Sequence, residues 1–105
     1  MTLAFLWAQK QVDERVNQHP AWYFSDEKCF DKLEEEKKEM QDALALYHEN
    51  PSDENLKALK TEFGDELFAI ICLANKLKID LEECFNLMME KNKNRAKNGY
   101  KKEEK

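Results

Sequence analysis

Four apolar stripes at helical spacing run along the chain, separated by short polar breaks. The first covers residues 3–18 through Leu3, Leu6, Trp7, Val12 and Val16, with an interruption around Lys10, and His19-Pro20 ends it. Residues 19–27 connect it to the next and carry Trp22, Tyr23 and Phe24. Ser25 stands where an N-cap belongs, with Lys28 at N3. A second helix is predicted from Asp26 to His48, with Phe30, Leu33, Met40, Ala43, Leu44 and Tyr47 on its apolar face. The loop Asn50-Pro51-Ser52-Asp53 follows, and Ser52 or Asp53 caps a third helix running to Lys78. After the break at Ile79-Asp80, Asp80-Leu-Glu-Glu83 reads as a capping box. It opens a fourth helix whose face is Leu81, Cys84, Phe85, Met88 and Met89.

The third helix is the one the others are organised around. From Leu67 to Ala74 every residue is apolar or small, which predicts burial on all sides. One turn earlier stand Glu62 and Asp65, three residues apart and on one face. The series 58, 62, 65, 69, 72 has the 4-3-4-3 rhythm of an inward seam, so two acids occupy seam positions. The second helix has a similar feature. Its stripe lacks a member between Leu33 and Met40, and Glu36 fills the place. Glu39 lies on the edge of the same stripe, whereas Glu34 points away and Glu35 lies further round.

Inward carboxylates need a cation, because a buried unpaired charge is very costly. Antiparallel packing of the second and third helices brings Glu36, Glu39, Glu62 and Asp65 together. Oxygen ligands on two rigid helices suit a hard divalent ion, Mg²⁺ with Mn²⁺ as a substitute, leaving one side open to a polyphosphate. The line of Met88 continues into Lys91, Asn92 and Arg95, which are candidates for the remaining phosphate charge. Trp22 has two readings: a core or staple residue beneath the second helix, or a stacking surface for a nucleobase.

Composition narrows the class. Two Gly and two Pro in 105 residues, with abundant Glu, Lys, Leu and Ala, favour one all-α domain over residues 1–98, with 99–105 as a frayed tail. A formal charge of −5 gives no general attraction to nucleic acid or to anionic lipid. No run of 18 apolar residues is present, and the apolar N-terminus lacks the basic region of a signal peptide. The three cysteines, 29, 72 and 84, show no close metal spacing and read as thiols of a reducing cytoplasm. His19 and His48 sit at helix ends, and no Ser/His or Cys/His arrangement offers a nucleophile.

Lys32-Leu-Glu-Glu35-Glu36-Lys-Lys-Glu39, a spacer of 22 residues, and Glu62-Phe-Gly-Asp65-Glu-Leu-Phe together resemble the MazG-type nucleotide pyrophosphohydrolases, whose signature is E-E-x-x-E followed by E-x-x-D. The stretch Leu73-Ala-Asn-Lys-Leu-Lys-Ile-Asp80-Leu-Glu-Glu resembles that family's turn into the last helix, so the similarity covers residues 30–95. The resemblance implies a four-helix, MazG-like fold that assembles into a dimer or tetramer. It implies Mg²⁺-dependent cleavage of a (deoxy)nucleoside triphosphate to the monophosphate and pyrophosphate, in a house-cleaning role. Glu36, Glu39, Glu62 and Asp65 then hold the metal, and Glu35 orients or activates the attacking water. The alternatives are a dCTP- or dUTP-directed enzyme, a phosphoribosyl-ATP pyrophosphohydrolase, or a non-catalytic helical dimerisation module. The apolar length of the third helix separately asks for more cover than one bundle provides, which predicts a homodimer or homotetramer.

Overall fold

The computed structural model describes residues 4–17 and 25–97. They form α1 (Ala4–Asn17), α2 (Asp26–Glu49), α3 (Asp53–Lys76) and α4 (Leu81–Lys97), with no strand among the described residues. The expected four-helix, all-α architecture is the observed one. Trp22 and the tail 99–105 lie outside the described residues.

The hairpin of α2 and α3 is the body of the fold, α1 packs on α3, and α4 packs on α1. Both hairpin helices start at serine caps. Ser25 Oγ accepts from Lys28 N–H at 3.3 Å, and Ser52 Oγ accepts from Asn55 N–H at 3.1 Å. Lys76 pairs with Asp26, tying the end of α3 to the start of α2. The inward line of α2 is Cys29, Leu33, Glu36, Met40, Ala43 and Tyr47, all buried or half-buried, whereas Phe30 and Leu44 of the expected face are exposed.

The inward line of α3 differs from the expected one. Ala58 and Asp65 are exposed, and the seam instead runs through Asn55, Leu59, Glu62, Glu66, Ala69 and Leu73. The rhythm is the same 4-3-4-3, set by Leu59, the one large apolar side chain buried in that half of the helix. The helix is also not covered all round: Ile71, Cys72 and Ala74 are buried, but Phe63, Leu67 and Ile70 face outwards.

In α1 the buried residues are Gln9 and Val16, so the helix turns Leu6 and Trp7 to the outside, contrary to the apolar stripe. Gln9 joins three elements. Its Nε2 donates to Asn75 Oδ1 at 2.9 Å and to the Ile79 carbonyl at 2.8 Å, and its Oε1 accepts from Leu81 N–H at 2.9 Å. Asn75 Nδ2 returns a bond to the Gln9 carbonyl at 2.9 Å. A buried amide is tolerated there because its donors and acceptor are satisfied.

The turn from α3 to α4 is a Schellman motif. Ile79 N–H donates to the Ala74 carbonyl at 2.8 Å and Lys78 N–H to Asn75 at 3.1 Å, with Lys78 in the left-handed region at φ 60°. At the start of α4 the Asp80 carboxylate accepts from Glu82 N–H at 2.8 Å, at N2 and not at the N3 position expected of a capping box. Glu82 is taken by α1 instead: its Oε1 accepts from Phe5 N–H at 3.1 Å. The Phe5 and Phe85 rings lie 5.4 Å apart beside it. Of the expected α4 face only Leu81 is half-buried; Cys84, Phe85, Met88 and Met89 are exposed in the single chain.

Candidate metal centre

Midway along the hairpin the two seams carry acids where apolar side chains stand above and below. Leu33 and Met40 flank Glu36 on α2; Leu59 and Ala69 flank Glu62 and Glu66 on α3. Glu36, Glu62 and Asp65 each place a carboxylate oxygen within 4.8 Å of the other two. Glu36 is 5% exposed, Glu62 is half-buried and Asp65 stands at the rim. Three of the four acids expected to come together, Glu36, Glu62 and Asp65, thus meet, with Asp65 reaching the site from its edge and Glu39 left outside.

The donor set fits a hard divalent cation. Oε1 of Glu36 and Oε1 of Glu62 are buried and accept no hydrogen bond. Such atoms lose their water without gaining a partner, which is a large cost unless a cation replaces it. Clustered carboxylate oxygens are the ligands that Mg²⁺ and Mn²⁺ prefer.

Glu39 is exposed and outside the triad, yet within reach of its field. The negative Glu36 beside it, followed by loss of solvation and by Glu62, holds its carboxyl above the ordinary value of 4.5. Glu35 faces solvent, 3.5 Å from Lys32 Nζ. The same lysine lies 2.8 Å from Glu36 Oε2, and that bond is the main reason its ammonium is held above the usual value of 10.5.

A cavity of about 420 Å³ adjoins the acids. Lys32, Glu36 and Asp65 supply its polar wall, and Cys29, Phe68 and Cys72 supply an apolar one. Burial, with the neighbouring Cys29 second, pushes the Cys72 thiol up to about 11, so it is a neutral, inert part of that wall. The third cysteine, Cys84, is exposed on α4.

The basic group expected on the phosphate side is not brought to the acids within one chain. Lys91 is exposed, Asn92 Nδ2 donates to Met88 Sδ at 3.0 Å, and Arg95 is half-buried. All three lie on α4, which packs on α1 and lines no part of the cavity among the described residues.

Two polar residues of this region escaped the sequence reading. Lys32 is four residues before Glu36, the spacing of a helical ion pair, and that spacing was the available signal. Glu66 carries a third buried, unpartnered carboxylate oxygen. Counting the seam from Leu59, with 62, 66 and 69, finds it.

Comparison with known proteins shows the family. The family of MazG nucleotide pyrophosphohydrolase domains matches residues 24–100. YpjD of Bacillus subtilis (strain 168) is 35% identical over 99 residues, covering 91% of this chain and 89% of its own length. A crystal structure of the Bacillus-conserved MazG protein, a nucleotide pyrophosphohydrolase, superposes with a TM-score of 0.69 at 34% identity, covering 87% of this chain and 88% of the other. The crystal structure of Bacillus subtilis YpjD gives a TM-score of 0.70 at 33% identity over 95% of both chains. The matched region contains α2, α3 and α4 with every acid of the centre, and the chain belongs to the MazG nucleotide pyrophosphohydrolase family.

Proposed function

We propose that this chain is a Mg²⁺-dependent pyrophosphohydrolase that cleaves a (deoxy)nucleoside triphosphate to the monophosphate and pyrophosphate, with Mn²⁺ able to replace Mg²⁺. The observation that carries the reading is the pair of buried carboxylate oxygens, on Glu36 and Glu62, that accept no hydrogen bond inside a three-acid cluster. Glu36, Glu62 and Asp65 hold the cation in this reading, with Glu39 completing the set from the next turn of α2. The cation supplies charge neutralisation for phosphate oxygens and makes water a better nucleophile. The chain's own part is positioning. The hairpin fixes the acids, and exposed Glu35, next to the cluster, orients or activates the attacking water.

Family membership supports a nucleotide as the substrate. The cavity next to the acids has the size and mixed lining of a small-molecule site. In this reading Lys91, Asn92 and Arg95 meet the phosphates from a second copy of the chain, because among the described residues α4 of the same chain lines no part of the cavity. Trp22 remains the candidate for stacking on the base.

Assembly into a homodimer or homotetramer fits the surface. Phe63, Leu67 and Ile70 on α3 and Phe85, Leu87 and Met89 on α4 are exposed in the single chain, and a second copy would cover them. A monomeric mass in light scattering at micromolar concentration refutes the assembly. Among the described residues no helix is long and apolar enough to cross a membrane. A cytoplasmic house-cleaning role, removing surplus or non-standard nucleotides, is the setting this reading gives the enzyme.

The test is pyrophosphate release from the common NTPs and dNTPs and from dUTP, with Mg²⁺ and with Glu62→Gln as the blank. Release that disappears in the variant is the expected result, and the profile names the base; preference for dCTP or dUTP selects that narrower class. Silence of a folded, metal-binding wild type on every substrate refutes the general activity and directs the assay to phosphoribosyl-ATP.

A further inference from the structure

Lys32 stands one helical turn before Glu36 on α2. Its ammonium lies 2.8 Å from Glu36 Oε2 and 3.5 Å from Glu35 Oε1. The pair is asymmetric: the Glu36 side chain is 6% exposed, whereas that of Lys32 is 46% exposed. The acid is held by the hairpin and the base is free to re-aim, because a lysine is a compact charge on a flexible four-carbon stem. The two oxygens of Glu36 also keep different company. Oε2 takes the ammonium, while Oε1 is buried without a donor. Lys32 lines the cavity beside Asp65, so the same ammonium that answers the acids borders the space next to them.

Two positive charges held among Glu36, Glu62 and Asp65 would take the summed formal charge there from −3 to −1. The attraction that keeps the ammonium on Glu36 falls with it. A phosphate chain arriving in the cavity offers a replacement partner, and ammonium–phosphate hydrogen bonds are charge-assisted on both sides. We propose that Lys32 is a switching counter-ion: it neutralises Glu36 while the acids hold no divalent cation, and turns to the phosphate chain of the substrate when they do. The phosphate half of this inference rests on the proposed function, and the counter-ion half rests on the acid cluster alone. Lys32 is a substrate-binding residue in this scheme.

The test uses Lys32→Met and Lys32→Arg in the full chain, with two probes. Met retains helix propensity at this half-exposed site, so both variants keep the fold. The first probe is Mn²⁺ alone, followed through the electron paramagnetic resonance signal of the unbound ion. Lys32→Met is expected to bind Mn²⁺ roughly three- to tenfold more tightly than wild type, because the metal no longer competes with an ammonium for Glu36. The second probe is inorganic triphosphate at saturating Mn²⁺, followed by calorimetry. Its affinity is expected to fall roughly tenfold in Lys32→Met and to be retained in Lys32→Arg. The opposite signs carry the inference, since a lysine that merely stabilises α2 changes neither titration. Equal or weaker Mn²⁺ binding in Lys32→Met overturns the counter-ion role, and unchanged triphosphate binding overturns the switch. Either result beside a wild type that hydrolyses nucleotides leaves the proposed function standing. A wild type that binds Mn²⁺ but no triphosphate overturns the switch, while the proposed function is refuted separately, by absence of pyrophosphate release from every nucleotide.

Discussion

Glu62→Gln separates the stability of the hairpin from the service of the site. In the metal-free protein Glu62 faces Glu36 and Asp65 at no more than 4.8 Å. Two like unit charges at that distance repel by about 3.5 kcal/mol at an effective dielectric of 20 and by about 0.9 kcal/mol in bulk water. Buried Glu36 pulls the site towards the first figure, and exposed Asp65 together with the Lys32 ammonium pulls it towards the second. A net relief of about 1–2 kcal/mol is expected on neutralising Glu62. The amide also offers donors to the unpartnered oxygen of Glu36. For a domain of this size that relief raises the melting temperature by about 5–10 °C.

Divalent cation reverses the order. A ligand at one hundred times its dissociation constant stabilises the form it binds by about 2.7 kcal/mol. Wild type gains that increment and Glu62→Gln loses most of it. The assay is a pair of melts at one fixed protein concentration, in EDTA and in saturating Mg²⁺, because an oligomer's melting point depends on concentration. The variant should melt above wild type in EDTA and below it in Mg²⁺. Two results refute the reasoning. A variant less stable than wild type in EDTA shows that the carboxylates do not repel. Equal gains from Mg²⁺ show that Glu62 is not a ligand.

Three other substitutions test neighbouring parts of the argument. Glu39 binds its proton more tightly in the fold than in the unfolded chain, so its contribution to stability falls as pH rises above 4.5 and levels off once the folded-state carboxyl has ionised. Glu39→Gln should therefore melt higher than wild type at pH 7 in EDTA, with the gap closing in melts below pH 4.5. Gln9→Leu keeps the volume but strips the donors from Asn75 Oδ1 and the Ile79 carbonyl and the acceptor from Leu81 N–H. It should cost about 2–4 kcal/mol, read as a lower urea midpoint. Lys78→Gly relieves a left-handed residue, at φ 60°, in the Schellman turn and should stabilise by about 0.5–1 kcal/mol in the same titration.

The four helices were legible because their boundaries carry local chemistry: Ser25 and Ser52 cap as their positions predict, and two prolines and two glycines leave little else to break the pattern. Glu36 was legible for a sharper reason. It fills a gap between Leu33 and Met40, and a seven-residue gap leaves one inward position. The α3 seam was read one step off because its composition is uniform. Between Leu67 and Ala74 every register looks apolar, and Ala58 counts as apolar although it gains little from burial. The large side chain that decides the register is Leu59. The slip hid Glu66 and put rim residue Asp65 at the centre. The polar hub of Gln9 and Asn75 was not legible at all, since its partners are 66 residues apart and a lone amide in a helix gives no periodic signal.

The seams explain why this fold can carry such a site. An acid on an isolated helix would swing to water, and no cation would be needed to satisfy it. Glu36 and Glu62 are denied that exit because apolar neighbours in the same seams, Leu33, Met40, Leu59 and Ala69, fix the helix faces against each other. Rotating α2 far enough to hydrate Glu36 would also expose Cys29, which is 4% exposed in the fold. The packing above and below the acids thus maintains the two unpartnered oxygens that make the centre fit a cation. The same packing limits how much repulsion the metal-free hairpin can shed by moving. Stability without metal and affinity for metal are therefore coupled through the same residues, and they should vary in opposite directions along a series of neutralised acids.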